Sequence, residues 1–159
     1  MRKNLYAMWM DSPLGMLTLI ASDEGLEHLV FGVAELPAEE KEHPYSLEAT
    51  RCLKRYFAGE KEDFSSVVLH PRGTEFQRKV WRLLTTIPYG TTKSYLAMAR
   101  MISERMSAQA IGQAVGANPI PVIIPCHRVI ASNGTIGGFT SGLPIKEKLL
   151  SLEHISVMK

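Results

Sequence analysis

A break between His70 and Gly73 constrains the fold of this chain more than any other feature of its sequence. A proline and a glycine interrupt the apolar pattern there, and the sign of the charge changes at the same point. Residues 1–70 carry twelve Asp and Glu against seven Lys and Arg, whereas residues 71–159 carry four against eleven. We therefore expect two domains, 1–70 and 71–159, of which the second could bind a polyanion.

The composition is that of an ordinary globular protein, since 45% of the 159 residues are apolar and 21% are charged. No apolar run reaches the roughly 18 residues that a membrane-spanning helix needs, and the N-terminus lacks the pattern of a signal peptide. Cys52 and Cys126 are too few for a disulfide framework, and one pair in the cytosol would stay reduced. We therefore expect a cytoplasmic protein with free thiols and no contact with a membrane.

The first domain is expected to be a small sheet with one helix. Three apolar-rich runs separated by turn residues predict an antiparallel meander: Leu5–Met10, Met16–Ala21 and Leu26–Phe31. An acidic connector that contains proline follows them. Ser46 is then the expected N-cap of a helix that ends near Gly59.

The second domain is expected to be mainly helical. Thr74 and Gln77 have the spacing of a capping box, and the residues that follow place apolar side chains at helical intervals. The stretch Thr91-Thr92-Lys93-Ser94 can cap a second helix, which would contain Tyr95, and a third helix is expected to begin near Ser107. These two short helices, with a turn around residues 101–106 between them, have the size of a helix-turn-helix.

The second helix of this pair, residues 108–116, is rich in Ala and Gly. Small side chains on an exposed face would let the helix backbone come very close to a partner. This suits binding in a shallow groove better than recognition of bases by side chains. The same composition also suits a helix that is packed tightly in a core. The sequence leaves both interpretations open.

A cysteine beside a histidine, Cys126-His127, is the candidate reactive site. A free thiol with a pKa of about 8.5 is only a few per cent thiolate at pH 7, so a nucleophilic cysteine needs a base or a positive neighbour. His127 and Arg128 could supply these. Adjacent side chains of an extended strand point to opposite faces, so the pair could cooperate only if Pro125 lies at a turn or a water connects them. A structural role for the pair is the alternative.

The residues around this pair carry a specific signature. Pro125-Cys126-His127-Arg128-Val129, with Asn118-Pro119 upstream, resembles the active-site motif of the O6-alkylguanine-DNA alkyltransferases. The resemblance covers most of residues 74–155, and its other segments are Ile87-Pro88-Tyr89-Gly90, Ser94-Tyr95, Ala110-Ile111-Gly112, Gly137-Gly138-Phe139 and Lys146-Glu147-Lys148-Leu149-Leu150. It implies an α+β fold. A ribonuclease-H-like N-terminal domain would hold a three-stranded sheet with a helix, and a mainly helical, winged-helix-like C-terminal domain would hold the helix-turn-helix.

The resemblance also implies four catalytic residues. Cys126 would accept the alkyl group, His127 would be its base through a water, and Glu153 would orient the histidine. Asn118 would form the hinge between the recognition helix and the active-site loop. The alternative is that Glu153 is a solvated surface glutamate at the end of the last helix.

Further residues are implied to bind the base and the DNA. Tyr95 would donate to an extruded guanine, the carbonyls of Cys126 and Val129 would accept from its amino group, and backbone N–H groups near Phe139 would stabilise charge on the departing O6. The set expected at the base is Tyr95, Val129, Phe139, Thr140 and Pro121, with Ser141 beside it. The set expected on DNA is Ser94, Tyr95, Gln109, Ala110, Gly112 and Arg128.

The implied activity is the repair of DNA by direct reversal. A methyl or other alkyl group would move from O6 of guanine, and also from O4 of thymine, to Cys126, once per molecule and after extrusion of the base. The partner would be double-stranded DNA bound through its minor groove by a monomer, with no cofactor and no metal. The alternatives are an alkyltransferase-like damage sensor that transfers nothing and a cysteine-histidine hydrolase that turns over many times.

Two positions depart from the family's pattern. Gln109 stands where most relatives carry the arginine that fills the gap left by the base, and Phe139 stands where many carry a tyrosine. An amide lacks the charge and the planar guanidinium with which arginine stacks on bases. We therefore expect base extrusion and assistance to the leaving group to be less well supported here.

Overall fold

The computed structural model describes residues 4–34 and 37–157. The chain divides into two compact units, residues 1–72 and 73–159. The two units together have the mixed α+β architecture that the sequence predicts. No helix among the described residues is both long and apolar enough to cross a membrane.

The sheet of the first unit has the strand order β3-β2-β1-β4. Its strands are β1 (Tyr6–Met10), β2 (Leu17–Ser22), β3 (Gly25–Phe31) and β4 (Glu39–Glu40). The first three pair antiparallel, which confirms the predicted meander. Strand β4 pairs parallel with β1 and lies in the acidic connector. It was not predicted, because two exposed glutamates have neither the length nor the side chains that indicate a strand.

The helix of the first unit, α1 (Pro44–Phe57), begins earlier than the sequence indicated. Its N-cap is His43 and not Ser46, so that prediction was wrong. His43 Nδ1 accepts a hydrogen bond from the backbone N–H of Tyr45 at 3.3 Å, and Pro44 occupies the first helical position, where its missing donor costs nothing. Ser46 instead lies inside the helix with its side chain buried.

Helix α1 ends two residues before Gly59, close to the predicted stop. The backbone of Gly59 has a φ of 95°, a conformation that glycine adopts without strain. The helix packs against β2 and β3, and fully buried side chains such as Leu53, Tyr56 and Leu19 form the core of this unit.

The second unit opens with α2 (Glu75–Leu84), and the predicted capping box is confirmed. The Thr74 hydroxyl accepts from the backbone of Gln77 at 3.1 Å, while the Gln77 side chain accepts from the backbone of Thr74 at 2.9 Å. On the buried face of the helix, Trp81 Nε1 donates to the carbonyl of Ala114 at 2.9 Å. This bond joins α2 to the helix that contains Ala114.

The helix-turn-helix is present as α3 (Tyr95–Ile102) and α4 (Ala108–Gly116). Ser94 and Ser107 are the N-caps, at the points where these helices were expected to begin, and each hydroxyl accepts from a backbone N–H three residues later. The small residues of α4 lie on both its buried and its exposed face. Ile111, Ala114 and Val115 are buried in the core, whereas Gln109 and Gln113 are exposed and the small residues beside them are partly exposed.

The rest of the second unit surrounds a short turn. After the loop 117–125, a 3-10 turn (Cys126–Arg128) leads into β6 (Val129–Ile130), which pairs parallel with β5 (Lys93–Ser94). Helix α5 (Leu143–Leu152) closes the unit. Because β5 runs directly into α3, this pairing places the first turn of α3 beside the cysteine turn.

Candidate active site

Cys126 is the first residue of the 3-10 turn and is 6% exposed. The backbone N–H of Arg128 donates to the carbonyl of Pro125 at 3.0 Å, and that of Cys126 donates to the carbonyl of Ile124 at 2.7 Å. The chain therefore turns sharply at Pro125. This is the geometry that the sequence required if Cys126 and His127 were to lie on the same side of the backbone.

His127 and Glu153 form a buried pair at the centre of the site. His127 Nε2 lies 2.5 Å from Glu153 Oε2, and neither side chain is exposed. Burial alone would raise the pKa of Glu153, but the hydrogen bond and charge of His127, together with Arg128, lower it to about 2. Glu153 is therefore a carboxylate at any physiological pH, and the shared proton resides on His127 Nε2.

His127 is in the protonation state that allows a histidine to act as a base. Burial lowers the pKa of His127, although Glu153 acts in the opposite direction, so the imidazole is neutral near pH 7. With the proton on Nε2, the lone pair is on Nδ1. This ring nitrogen is the one that can accept a proton.

Arg128 is the second partner of Glu153. Its Nε donates to Oε1 at 2.8 Å and its Nη2 to Oε2 at 3.2 Å, while its Nη1 donates to the carbonyl of Ile87 at 2.7 Å. The backbone N–H of Gly90 adds a fourth bond to Glu153, at 3.0 Å. The carboxylate is thus held on both oxygens before any substrate arrives.

The Cys126 thiol is protonated in this environment. Burial raises its pKa to about 11, and the hydrogen bond from Asn118 and the charge of Lys146 only partly counteract this. Such a thiol is thiolate in on the order of one molecule in ten thousand at pH 7. A reaction at Cys126 therefore depends on a neighbour that takes the proton.

Asn118 braces the loop that leads to the cysteine. Its Nδ2 donates to the carbonyl of Ile124 at 2.8 Å, and its Oδ1 accepts from the backbone N–H of Ile120 at 3.0 Å. Within this loop, Val122 is buried and has a φ of 73°. A β-branched residue in the left-handed region is strained, so the amide of Asn118 helps to hold a loop conformation that the backbone alone would not favour.

Both units match protein families described for one activity. Residues 75–155 match "6-O-methylguanine DNA methyltransferase, DNA binding domain" and residues 1–71 match "6-O-methylguanine DNA methyltransferase, ribonuclease-like domain". The chain belongs to the 6-O-methylguanine DNA methyltransferase family. This confirms the family that the motif around Cys126 indicated.

Relatives and solved structures of the same family cover nearly the whole chain. A methylated-DNA–protein-cysteine methyltransferase of Methanosarcina acetivorans is 44% identical over 94% of this chain and 98% of its own. One of Haemophilus influenzae is 38% identical over 95% of this chain and 87% of its own. The crystal structure of Mycobacterium tuberculosis OGT in complex with DNA superposes with a TM-score of 0.85 at 41% identity, covering 93% of this chain and 92% of that one.

In this methyltransferase-family chain, the residues expected at the base differ in burial and in their contacts. The half-buried Tyr95 begins α3, and its hydroxyl donates to the carbonyl of Gly138 at 3.3 Å. Burial, and secondarily the charge of Cys126, raises the pKa of Tyr95. Val129 and Pro121 are buried, and Phe139 is partly exposed. The hydroxyl of the exposed Thr140 donates to the carbonyl of Gly116 at 2.8 Å, which joins its loop to the end of α4.

The residues expected on DNA lie in different surroundings. Gln109 is exposed on α4, with Ala110 and Gly112 partly exposed on the same helix. Ser94 uses its hydroxyl to cap α3, and a Cβ on Gly112 would lie 3.8 Å from the Tyr95 ring. Arg128 is only 6% exposed, and the structure places its guanidinium on Glu153 instead of at the surface.

The sequence interpretation gave Lys146 no role, yet the structure places it inside the site. Its side chain is fully buried, and its Nζ donates to the carbonyls of Val129 and Gly138 at 2.6 and 3.0 Å. A signal was available. Lys146, Leu149, Leu150 and Glu153 follow the i, i+3, i+4, i+7 spacing of a buried helical face, and two charged residues on such a face need an explanation.

Proposed function

We propose that this protein repairs DNA by transferring a methyl or other alkyl group from O6 of guanine to Sγ of its own Cys126. One observation carries the proposal. In the unit that contains the helix-turn-helix, the buried thiol of Cys126 and the buried, neutral His127 lie in one turn. His127 is hydrogen-bonded to the carboxylate of Glu153. The family to which the chain belongs is described for this activity.

The buried cluster accounts for activation of the thiol. The proton of Cys126 moves to Nδ1 of His127, directly or through a water, and the resulting imidazolium is stabilised by the carboxylate of Glu153. Arg128 keeps Glu153 ionised and oriented. The thiolate then attacks the alkyl carbon, the new S–C bond forms as the C–O6 bond breaks, and the electron pair of that bond remains on the guanine.

The leaving guanine needs hydrogen-bond donors. In the proposed complex the Tyr95 hydroxyl donates to the extruded base, the carbonyl of Val129 accepts from its amino group, and backbone N–H groups of Phe139 and Thr140 stabilise O6. Pro121 lies in the buried wall of the loop that precedes Cys126. The same arrangement would accept the O4 position of an alkylated thymine.

The exposed face of α4 is the proposed DNA-binding surface. A base inside a duplex cannot present its O6 substituent to a buried thiol, so the nucleotide must leave the stack. The small residues Ala110 and Gly112 let the helix backbone approach the minor groove, and Gln109 is the side chain that could occupy the gap. Arg128 is buried and bound to Glu153, so we assign the contact with DNA to α4 and not to Arg128.

The alkyl donor is the DNA itself, so the step balances without a cofactor. The product thioether is stable, and the second thiol, Cys52, belongs to the other unit. We therefore propose a single turnover per molecule. We further propose that the protein acts as a monomer in the cytoplasm, where its two free cysteines stay reduced.

The experiment that tests this function is a titration with an oligonucleotide that contains O6-methylguanine. The intact mass of the protein is expected to rise by one methyl group and to stop rising after one equivalent. Cys126→Ala is expected to bind the same oligonucleotide with no gain in mass. Binding without any gain by the wild type would indicate a damage sensor, and continued loss of methyl groups from the DNA would indicate an enzyme that turns over.

A further inference from the structure

Lys146 is a buried cation held by main-chain groups. Its side chain is fully buried, and both hydrogen-bond partners of its Nζ are backbone carbonyl oxygens. Burial lowers its pKa to about 8, and a negative charge on Cys126 acts in the opposite direction once the thiol ionises. Burying an ammonium group is unfavourable, so its presence requires an explanation beyond packing.

The two carbonyls bound by Lys146 belong to two separate segments of the site. Val129 begins β6 directly after the cysteine turn, whereas Gly138 lies in the loop that leads to α5. The Tyr95 ring lies beside both the lysine and the loop, because Nζ is 5.9 Å from the ring centroid and a Cβ on Gly137 would lie 3.1 Å from the ring. Lys146 therefore links the two segments that border Tyr95.

The carbonyl of Gly138 accepts from two side chains. The Tyr95 hydroxyl lies 3.3 Å away and Lys146 Nζ lies 3.0 Å away. The tyrosine contact is longer than the usual range for hydroxyl donors, so it is the weaker link of the two. The Tyr95 hydroxyl also carries a single proton, so it cannot hold the loop and donate to a base at the same time.

We propose that Lys146 is a positioning residue for alkyl transfer: it holds the carbonyls of Val129 and Gly138 in place, so that the Tyr95 hydroxyl can leave Gly138 and bind the extruded base. The inference rests on the proposed function. Without the amine, the Tyr95 hydroxyl would have to use its single proton either to hold the loop or to donate to the base.

Other groups near Lys146 suggest a second way in which it could act, which the test must separate. Its charge is felt by Cys126 and His127, and His127 is in turn paired with Glu153, which also binds Arg128. Removing the amine could therefore change the reactivity of the thiol itself. A small electrophile that needs neither Tyr95 nor the loop reports on this effect alone.

The test compares single-turnover transfer from a methylated oligonucleotide by the wild type, Lys146→Met, Tyr95→Phe and the double variant. Lys148→Met is the matched control, because Lys148 is exposed on the same helix. We expect Lys146→Met and Tyr95→Phe each to lower the maximal rate by about tenfold, with oligonucleotide affinity within about twofold of wild type. The double variant should be no slower than the slower single variant, because both changes remove the same donation. Lys148→Met should match the wild type.

Two further measurements separate an effect on the loop from an effect on the thiol or on folding. In a Cys52→Ala background, alkylation of Cys126 by iodoacetamide is expected to proceed within about twofold of the wild-type rate in Lys146→Met. Lys146→Gln, which keeps N–H donors without the charge, is expected to transfer faster than Lys146→Met, and it replaces that variant if Lys146→Met does not fold.

Three results would overturn the inference. Losses that multiply in the double variant would show that Lys146 and Tyr95 act separately. An equal loss towards iodoacetamide would show that the amine acts on the thiol. A Lys146→Met protein as fast as the wild type would show that the amine is not needed. In all three the wild type still transfers, so the proposed function stands, whereas a wild type that transfers nothing removes both.

Discussion

The two buried cysteines of this protein differ in the side chains that lie beside them. Cys52 lies in the first unit, where its Sγ is 3.3 Å from Ser66 Oγ and accepts a hydrogen bond from Arg55 Nη2 at 3.2 Å. Cys126 lies in the second unit, where it shares a turn with His127. Burial raises the pKa of both thiols. A cation also lies near each of them, Arg55 at Cys52 and Lys146 at Cys126, so neither burial nor a nearby charge explains why only Cys126 is proposed to react.

The difference between them is the base. The Cys52 thiol donates to the carboxylate of Glu48 at 3.8 Å, and the hydrogen bond that this carboxylate accepts from Ser66 lowers its pKa. A carboxylate with a lowered pKa is a poor acceptor for a thiol proton. His127 is neutral near pH 7 and has a carboxylate behind it to stabilise the charged form. In the proposed mechanism, Cys126 is the nucleophile because a base that can take its proton lies beside it.

The largest effect is expected when the carboxylate behind the base is removed. Glu153→Gln should slow transfer by about 10²- to 10⁴-fold, because His127 loses the group that stabilises its charged form. The deficit should narrow as the pH approaches 11, where the Cys126 thiol ionises unaided. Single-turnover rates measured between pH 6 and pH 10 check this.

Glu48→Gln is the matched control for the other cysteine. The variant removes the carboxylate beside Cys52 and is expected to leave transfer within about twofold of wild type. If Glu48→Gln slowed transfer as much as Glu153→Gln, the contrast between the two cysteines would be wrong.

Acid is expected to destabilise the second unit more than the first. Folding lowers the pKa of Glu153 from 4.5 to about 2, so the stability that it supplies is complete above pH 4.5 and is lost as the pH falls towards 2. The size of the loss is about 3 kcal/mol. The lowered pKa of His127 acts in the same direction, because stability is lost once the pH falls below 6.5.

Each unit has its own tryptophan to report on this. Trp9 lies in β1 and Trp81 in α2, so Trp9→Phe and Trp81→Phe variants allow urea unfolding of each unit to be followed by fluorescence at pH 7 and pH 3. Carboxylates with lowered pKa values in the first unit, such as Glu48 and Asp63, are at the surface and should contribute less. Equal losses in the two units would contradict the prediction.

A smaller effect is expected at the DNA-binding surface. Gln109→Arg should tighten binding to duplex DNA and speed repair in duplexes several-fold, with less effect on a short single strand whose bases are already unstacked. The added guanidinium should steepen the salt dependence of binding by at most about one counterion. Gln113→Arg, also exposed on α4, is the control for charge alone. If both variants gained equally on both substrates, position 109 would not be the side chain that fills the gap.

The smallest effect is expected at Cys52. Cys52→Ala should leave transfer within about twofold of wild type, since the proposed chemistry lies in the other unit. The rate of methyl transfer measures activity, and the melting temperature shows whether the variant is folded. A folded Cys52→Ala protein without activity would contradict the prediction.

Much of this molecule could be predicted because the signals are local. The caps at Thr74, Ser94 and Ser107 depend on side chains that bond backbone groups three residues away, so the signals for these helix starts were visible in the sequence. The motif around Cys126 identified the family in the same way. The cap at His43 was missed because Ser46, three residues later, carried the more usual signal.

The rest could not be predicted because it depends on contacts between distant segments. Arg128 has the charge of a DNA-binding residue, and only the fold shows that Glu153 occupies its guanidinium. Lys146 was part of a recognised segment, but its partners, Val129 and Gly138, come from elsewhere in the chain. The strand β4 depends on pairing with β1, which its own two residues do not indicate.

The most direct test of the account is to locate the methyl group after reaction with one equivalent of methylated DNA. The protein is digested and the peptides that contain Cys126 and Cys52 are compared by mass spectrometry. The account predicts a methyl group on Cys126 in every molecule that has reacted and none on Cys52. A methyl group on Cys52, or DNA that has lost its methyl group while both cysteines stay unmodified, would contradict it.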